Sequence, residues 1–158
     1  MNTPTSSFDP QAFLDAQISE PTVKRPPIPA GDYTAVIGEV KARVWQGKKD
    51  PTQSGIAWDV PLAIEIPAEV QAALGVEFKD GILTKTDSIM VDTTPQGTID
   101  NSVGKNNQLR RYRDACDMNK PGDVFSARKM QGIPVLVKIK HGEWQGEVTE
   151  EIAGVAKL

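Results

Sequence analysis

The chain has 158 residues, of which 39% are hydrophobic and 25% are charged, and its net charge is −3. These values are typical of a globular protein with a single core, and they exclude a chain that is basic throughout. The single cysteine, Cys116, excludes an internal disulfide framework, and no apolar run approaches the roughly 20 residues of a membrane-spanning helix. The first residues, MNTPTSSFDP, lack the basic and apolar regions of a secretory signal, so we expect a cytoplasmic protein without membrane attachment.

Residues 1–29 are predicted to form an extended arm in front of a domain at residues 30–158. The arm holds six of the twelve prolines and one short helical patch, whose apolar side chains are Phe8, Phe13, Leu14 and Ile18. The patch either packs on the domain as a strap or docks on a partner, and the sequence leaves both alternatives open.

Five strands are predicted in the domain. The first, at 31–45, is long, and its alternation shifts phase at Gly38, which predicts a bulge there. The second follows a polar loop and covers 56–66, with Trp58 on its apolar face and Pro61 at an edge or a bulge. A brief helix at 67–74 precedes the third strand at 84–93, and the last two strands, at 133–141 and 147–158, form a hairpin.

A cationic helix within 105–122 separates the third strand from the fourth. Helical spacing puts one set of side chains on a single apolar face, namely Leu109, Tyr112, Ala115 and Cys116. Arg110, Arg111 and Arg113 point away from that face, where they form either a solvated surface or a contact site. Ser102, Asn106 and Asn107 are the candidate N-caps.

Three strands, a helix and two strands are the element order of an oligonucleotide/oligosaccharide-binding (OB) barrel. We therefore predict a mainly β fold, a five-stranded OB-like barrel with a helix between strands 3 and 4, preceded by the extended N-terminal arm. In such a barrel the loop after the first strand and the loop between the last two strands flank the binding face.

Several stretches of the chain resemble a family of small bacteriophage proteins: IPAGDYTAVIGEV, NNQLRRYRDAC, NKPGDVFSARKMQGIPVLVKIKH and EEIAGVAKL. The likeness covers roughly residues 29 to 158, and members of the family resemble phage single-stranded DNA-binding proteins. The resemblance implies sequence-independent binding of single-stranded DNA in replication or recombination, in the cytoplasm of the host and without catalysis.

Binding of single strands requires cations that follow the phosphates and aromatic faces on which bases stack. The chain offers twelve such residues, which are predicted to contact nucleic acid: Lys41, Arg43, Trp45, Lys48, Lys49, Lys105, Arg110, Arg111, Arg113, Lys138, Lys140 and Trp144. Trp45 and Trp144 are expected beside the two loops that flank the binding face.

Motifs for catalysis are absent from the sequence. It contains no Gly-rich phosphate loop, dinucleotide fingerprint or nucleophile elbow, and a single histidine, His141, with a single cysteine cannot build a zinc site. We therefore predict no catalytic residue, no cofactor and no metal. Asp87, Asp92 and Asp100 match no magnesium-binding spacing, so an enzyme ranks third among the functional hypotheses.

Two features oppose nucleic-acid binding: only 6% of the residues are aromatic, and the last strand carries an acidic patch of Glu143, Glu147, Glu150 and Glu151. The alternative function is a protein-binding module, such as a phage-encoded inhibitor or structural accessory, that uses the barrel face and the arm. We expect any recruitment of replication or recombination proteins to use the arm, because the final residues do not form an acidic tail. The sequence leaves open whether the chain forms a homo-oligomer.

Overall fold

The computed structural model describes residues 9–158, so Phe8 of the predicted helical patch lies outside the described part. Six strands form one antiparallel sheet: β1 Gly31–Ile37, β2 Lys41–Gln46, β3 Ser54–Glu65, β4 Ile82–Val91, β5 Pro134–Trp144 and β6 Glu147–Lys157. Two α-helices, α1 Ala68–Leu74 and α2 Asn107–Ala115, join them, with short 3-10 helices at Pro10–Asp15, Lys79–Gly81 and Ala127–Met130.

The predicted first strand is interrupted at Gly38 and becomes β1 and β2, which pair with successive parts of β3. The Gly38 amide donates to the Pro61 carbonyl across the break at 2.8 Å. Proline has no N–H to donate, so Pro61 lies where the ladder is interrupted and not at a sheet edge. The prediction of an irregularity at Gly38 is confirmed, and its form is a break between two strands.

The sheet does not close into a barrel, which corrects the predicted five-stranded barrel. Its order is β4–β3–β1–β5–β6, with β2 continuing the path of β1 along β3. Closure would need a ladder between β4 and β6, but among the described strands each of these pairs with a single neighbour. Helix α2 packs against both strands instead, so it fills the gap that backbone hydrogen bonds would otherwise close.

The core lies on the inner side of the sheet and follows the alternation of the strands. β1 contributes Tyr33, Ala35 and Ile37, and the facing positions of β3 and β5 are also buried, namely Val60, Leu62, Ile64, Val135, Val137 and Ile139. Each large apolar side chain buried in this way stabilises the fold by about 2 kcal/mol. Trp58 is partly buried against this core, as predicted.

The end of the arm packs on the domain. Ile28 is fully buried, and its amide donates to the Glu150 carboxylate at 2.8 Å. Leu14 and Ile18 of the helical patch are 77% and 81% exposed, and the 3-10 helix at Pro10–Asp15 buries no residue. The end of the arm therefore packs on the domain, while Leu14 and Ile18 of the patch remain exposed.

Local sequence signals fix the ends of several elements. Gly75 ends α1 with a φ of 67°, as the predicted stop requires, and Gln145 and Gly146 form the tip of the last hairpin with φ values of 50° and 79°. Two consecutive left-handed residues are typical of a tight hairpin turn whose twist matches the strands. Helix α2 is shorter than predicted, because Asp117, with a φ of 56°, leaves the helical conformation well before Pro121.

Candidate nucleic-acid interface

The register of β2 with β3 places three predicted contact residues on the side of the sheet away from the core: Lys41, Arg43 and Trp45. In the register with β3, Trp45 lies opposite Gly55, Arg43 opposite Ala57 and Lys41 opposite Asp59. On the other side of β3, Met90 of β4 is opposite Ala57, and Ser88 is opposite Asp59. We call this surface the platform: Lys41, Arg43, Trp45, Gly55, Ala57, Asp59, Ser88 and Met90.

Trp45 is held against the sheet because its partner has no side chain. A Cβ atom added to Gly55 would lie 2.6 Å from the indole Nε1 of Trp45 and 2.9 Å from its Cε2, closer than real Cβ contacts. The indole therefore occupies the space above Gly55 and is half-buried. Glycine in a strand often marks such a close approach, and here it fixes the position of the platform's aromatic ring.

Arg43 is held in place by an acidic neighbour. Its Nε donates to Asp59 Oδ2 at 2.9 Å, and Ser88 Oγ donates to the other carboxylate oxygen at 2.5 Å. These hydrogen bonds, that from Ser88 first and that from Arg43 second, lower the pKa of the Asp59 carboxyl. Asp59 thus offsets the charge of Arg43 and also fixes the guanidinium on the platform.

Several other side chains of the platform, and the loop beside it, are exposed. Met90 is 49% exposed, while Ala57 between it and Arg43 is fully buried. Lys48 and Lys49 lie in the loop that joins β2 to β3, and both are exposed. The platform therefore combines an indole, an apolar thioether and flanking cations, the side-chain types that stack on bases and contact phosphates.

Helix α2 buries its predicted apolar face and turns part of its cationic face outward. Leu109, Tyr112, Ala115 and Cys116 are all at most 7% exposed, which confirms their predicted common face. Arg111 is exposed, and Arg110 forms an exposed ion pair with Asp114 at 3.7 Å. Arg113 departs from the prediction, since its Nε donates to the Met118 carbonyl at 3.0 Å and its guanidinium lies 5.0 Å from the centroid of the Phe125 ring.

Asn106 precedes α2 but does not cap it with its side chain. Its Nδ2 donates to the carbonyls of Asp92 and Asp100, and its Oδ1 accepts from the Asp92 amide at 2.7 Å. The side chain is 7% exposed and serves to tie the loop at 92–106 together. Asp87, Asp92 and Asp100, the carboxylates considered for a metal, each accept a hydrogen bond inside this region.

Lys138, Lys140 and Trp144 lie on the outward side of β5, apart from the platform. Ile139 is opposite Gly31, so the end of β5 extends past the start of β1, whereas Trp45 lies beyond the other end of β1. Trp144 is 69% exposed beside the hairpin tip, as predicted. The two tryptophans are therefore at opposite ends of the path of β1 and β2, and the structure does not bring them side by side.

Charge pairing divides the ten predicted cations. Arg43, Arg110 and Lys140 form ion pairs, and Arg113 stacks on Phe125. No ion pair with a described residue is formed by the other six: Lys41, Lys48, Lys49, Lys105, Arg111 and Lys138. These six cations are therefore the least neutralised of the ten.

The acidic patch at the last hairpin is largely paired. Glu150, whose side chain is 8% exposed, contacts Arg25 and lies 3.7 Å from Lys85, while Glu147 and Glu151 pair with Lys24 and Lys140. Burial raises the pKa of the Glu150 carboxyl, but hydrogen bonds from Arg25 and Ile28 and the charges of Arg25 and Lys85 outweigh it, so the net shift is downward. The repulsion of phosphate expected from this patch is thereby reduced.

His141 and Cys116 have structural surroundings. His141 Nε2 lies 2.8 Å from the Ile28 carbonyl, to which it donates, and Cys116 is a buried thiol whose pKa is raised by burial. Within residues 9–158, no three His, Cys, Asp or Glu side chains are grouped so that they could hold a metal ion. No helix in that range is long and apolar enough to cross a membrane.

The residues predicted from the sequence include Trp45 and Arg43 of the platform but not Gly55, Met90 and Asp59. The signal for Gly55 was available, because a short hairpin loop fixes which residue lies opposite Trp45. Met90 had no such signal, since its place next to Ala57 depends on the register of β4 against β3.

Comparison of the chain with protein-family models and with curated proteins finds no match.

Proposed function

We propose that the protein binds single-stranded DNA on the platform, independently of sequence and without catalysis. The observation that carries the proposal is the Trp45 indole seated over Gly55 among outward-facing cations. Stacking of a base on such a ring stabilises the complex by about 1–3 kcal/mol. A role in phage replication or recombination is supported by the sequence resemblance alone.

The order of the strands supports an OB-like assignment for this open sheet. If β1 and β2 count as one interrupted strand, the order is that of an OB barrel without its closing pair, with the helix between the third and fourth strands. In OB proteins the face of the second and third strands binds oligonucleotides. β3 and β4 hold those places here, and they carry part of the platform.

Tryptophan fluorescence tests the proposal directly. We expect oligo-dT of about 30 nucleotides to quench the emission to saturation, and duplex DNA of equal length to have no such effect. If the complex neutralises four phosphates, affinity should fall about 50-fold between about 50 mM and about 200 mM salt. A Trp144→Phe variant serves as the control, because its quenching should persist if Trp45 is the reporter. Absence of quenching at low salt would contradict the proposal.

A protein-binding module is the second candidate, and the exposed arm favours it. Leu14, Ile18 and Val23 are 77%, 81% and 82% exposed, while Arg25 and Ile28 fasten the arm to the domain. A chain shortened by residues 1–23 keeps that fastening. Under this candidate the shortened chain should keep its DNA affinity and lose binding to a host replication protein, and unchanged binding of that protein would exclude the arm.

A further inference from the structure

A groove lies beside α2, away from the Trp45 end of the platform. It has a volume of about 480 Å³ and lies between the loop before α2, the first turns of α2 and the segment around Asn119–Phe125. Its volume is within the range of about 300–1,000 Å³ that is typical of small-ligand sites.

The charges that line the groove favour an anion. Lys105, Arg110 and Arg113 contribute three cations, and Asp123 contributes one carboxylate, a surplus of two positive charges in a chain whose net charge is −3. Lys105 forms no ion pair with a described residue, and the Arg110–Asp114 pair at 3.7 Å is exposed, so both cations are accessible. Phosphate is the anion that such a pair binds well.

Apolar and aromatic side chains also line the groove. Phe125 carries the Arg113 guanidinium over its ring, Ile99 is 47% exposed, and Val103 is fully exposed. Asn101, Asn107 and Asn119 add amide donors and acceptors around this surface. Bases stack on aromatic rings and guanidinium planes, while amides hydrogen-bond to base edges. The groove thus combines cations that can bind a phosphate with an aromatic ring and amides that can bind a base.

The groove adjoins the platform through β4. Gln108 Oε1 of α2 accepts from the amide of Met90, which belongs to the platform, at 3.1 Å. Two residues further along, Asp92 bonds to Asn106, whose loop forms one wall of the groove. A single-stranded DNA chain that crosses the platform over Met90 can therefore continue past the end of β4 into the groove.

We propose that this groove binds one nucleotide of the single strand that lies on the platform. The phosphate lies between Lys105 and Arg110, and the base stacks against the Arg113–Phe125 pair beside Val103. This inference rests on the proposed function, since the strand reaches the groove from the platform.

A fluorophore placed in the groove tests this inference separately from the platform. Val103→Cys can be labelled selectively with an environment-sensitive dye, because Cys116 is buried. Val23→Cys is the matched control, since Val23 is also exposed, at 82%, and belongs neither to the groove nor to the platform. We expect oligo-dT to change the emission at position 103 and leave that at position 23 unchanged.

Affinity gives a second readout. Val103→Asp should weaken oligo-dT binding about tenfold, because a carboxylate near Lys105 repels the phosphate, whereas Val23→Asp should leave the affinity unchanged. Tryptophan quenching with a silent label at 103 and full affinity in Val103→Asp would overturn the groove and leave the platform intact. If oligo-dT neither quenches the tryptophan emission nor changes the dye emission, the proposed binding of DNA to the platform is overturned as well. If thymidine monophosphate changes the emission of the dye at position 103 to saturation and oligo-dT does not, the groove binds a free nucleotide and not a nucleotide of a DNA strand. That result would overturn the inference.

Discussion

Gly55 shows how one absent side chain can set the position of an aromatic ring. The indole of Trp45 occupies the volume where a Cβ atom would lie, and the neighbouring Arg43 is fixed by Asp59, so the ring and the cation keep a defined spacing. A preorganised ring loses little conformational freedom when a base stacks on it. The geometry of the platform therefore depends on a residue that contributes no side chain to it.

Gly55→Ala should displace the Trp45 indole and weaken binding of oligo-dT at least about fivefold, because the ring no longer presents its face to a base. The free energy of unfolding should change by less than about 1 kcal/mol, since Gly55 lies near the start of β3, opposite the exposed strand β2, and the displaced indole can turn toward solvent. Titration by fluorescence anisotropy with a labelled oligonucleotide measures the first effect, and urea unfolding measures the second.

Gly154→Ala is the control for this substitution. Gly154 also lies in a strand, and a Cβ atom added there would meet nothing within 4 Å. Its affinity for oligo-dT should equal that of the unchanged chain. Equal affinities of the Gly55→Ala and Gly154→Ala chains would show that the position of Trp45 does not matter for binding.

Helix α2 packs against β4 and β6, which do not pair with each other in the described sheet. Tyr112, which is 2% exposed, donates its hydroxyl to Asp87 Oδ2 of β4 at 2.7 Å, while the helix also packs against β6. Burial first, and then the charge of Asp87, raise the pKa of the Tyr112 hydroxyl, so it remains a donor at neutral pH. This hydrogen bond takes part of the role that a ladder would have in a closed barrel.

Tyr112→Phe should lower the free energy of unfolding by about 1–3 kcal/mol, because a partly buried carboxylate loses its donor. It should also increase amide hydrogen exchange in β4 and β6 more than in β1 or β5, since only the open seam is loosened. Tyr33→Phe is the control: it removes a hydrogen bond of 2.6 Å to the Pro29 carbonyl, away from the seam. Equal exchange in β6 for both variants would contradict a bracing role for α2.

Local patterns predicted most of the elements but not how the sheet ends. Alternation located the strands, and Gly38 and Gly75 marked the break and the helix stop, because these features depend on neighbouring residues. The open edge between β4 and β6 and the split of the first strand depend on pairing between distant residues, which periodicity does not report. For the same reason the sequence did not indicate that Arg113 folds over Phe125 or that Trp45 and Trp144 lie at opposite ends of β1 and β2.

At the scale of the whole molecule, Glu150 connects the arm, the last strand and β4. It pairs with Arg25, accepts from the Ile28 amide at 2.8 Å and lies 3.7 Å from Lys85. The Arg25 guanidinium also lies 5.2 Å from the centroid of the Phe78 ring. Residues 25–28 thus form a latch that closes over one part of the core, with Ile28 as its buried anchor.

Glu150→Gln should lower the free energy of unfolding by about 2 kcal/mol or more, because Arg25 and Lys85 lose their counter-charge in a largely buried site. Glu151→Gln is the control: its pair with Lys140 is exposed and should contribute less than about 1 kcal/mol.

The pH dependence of stability separates the loss of the Glu150 charge from a change in side-chain shape. The folded-state pKa of Glu150 is below its ordinary value of 4.5, so its contribution is complete above that pH and is lost as the pH falls through the lowered value. The difference in stability between the unchanged chain and Glu150→Gln should therefore shrink below about pH 4.5 in urea unfolding series, and a difference independent of pH would show that the charge of Glu150 does not hold the latch.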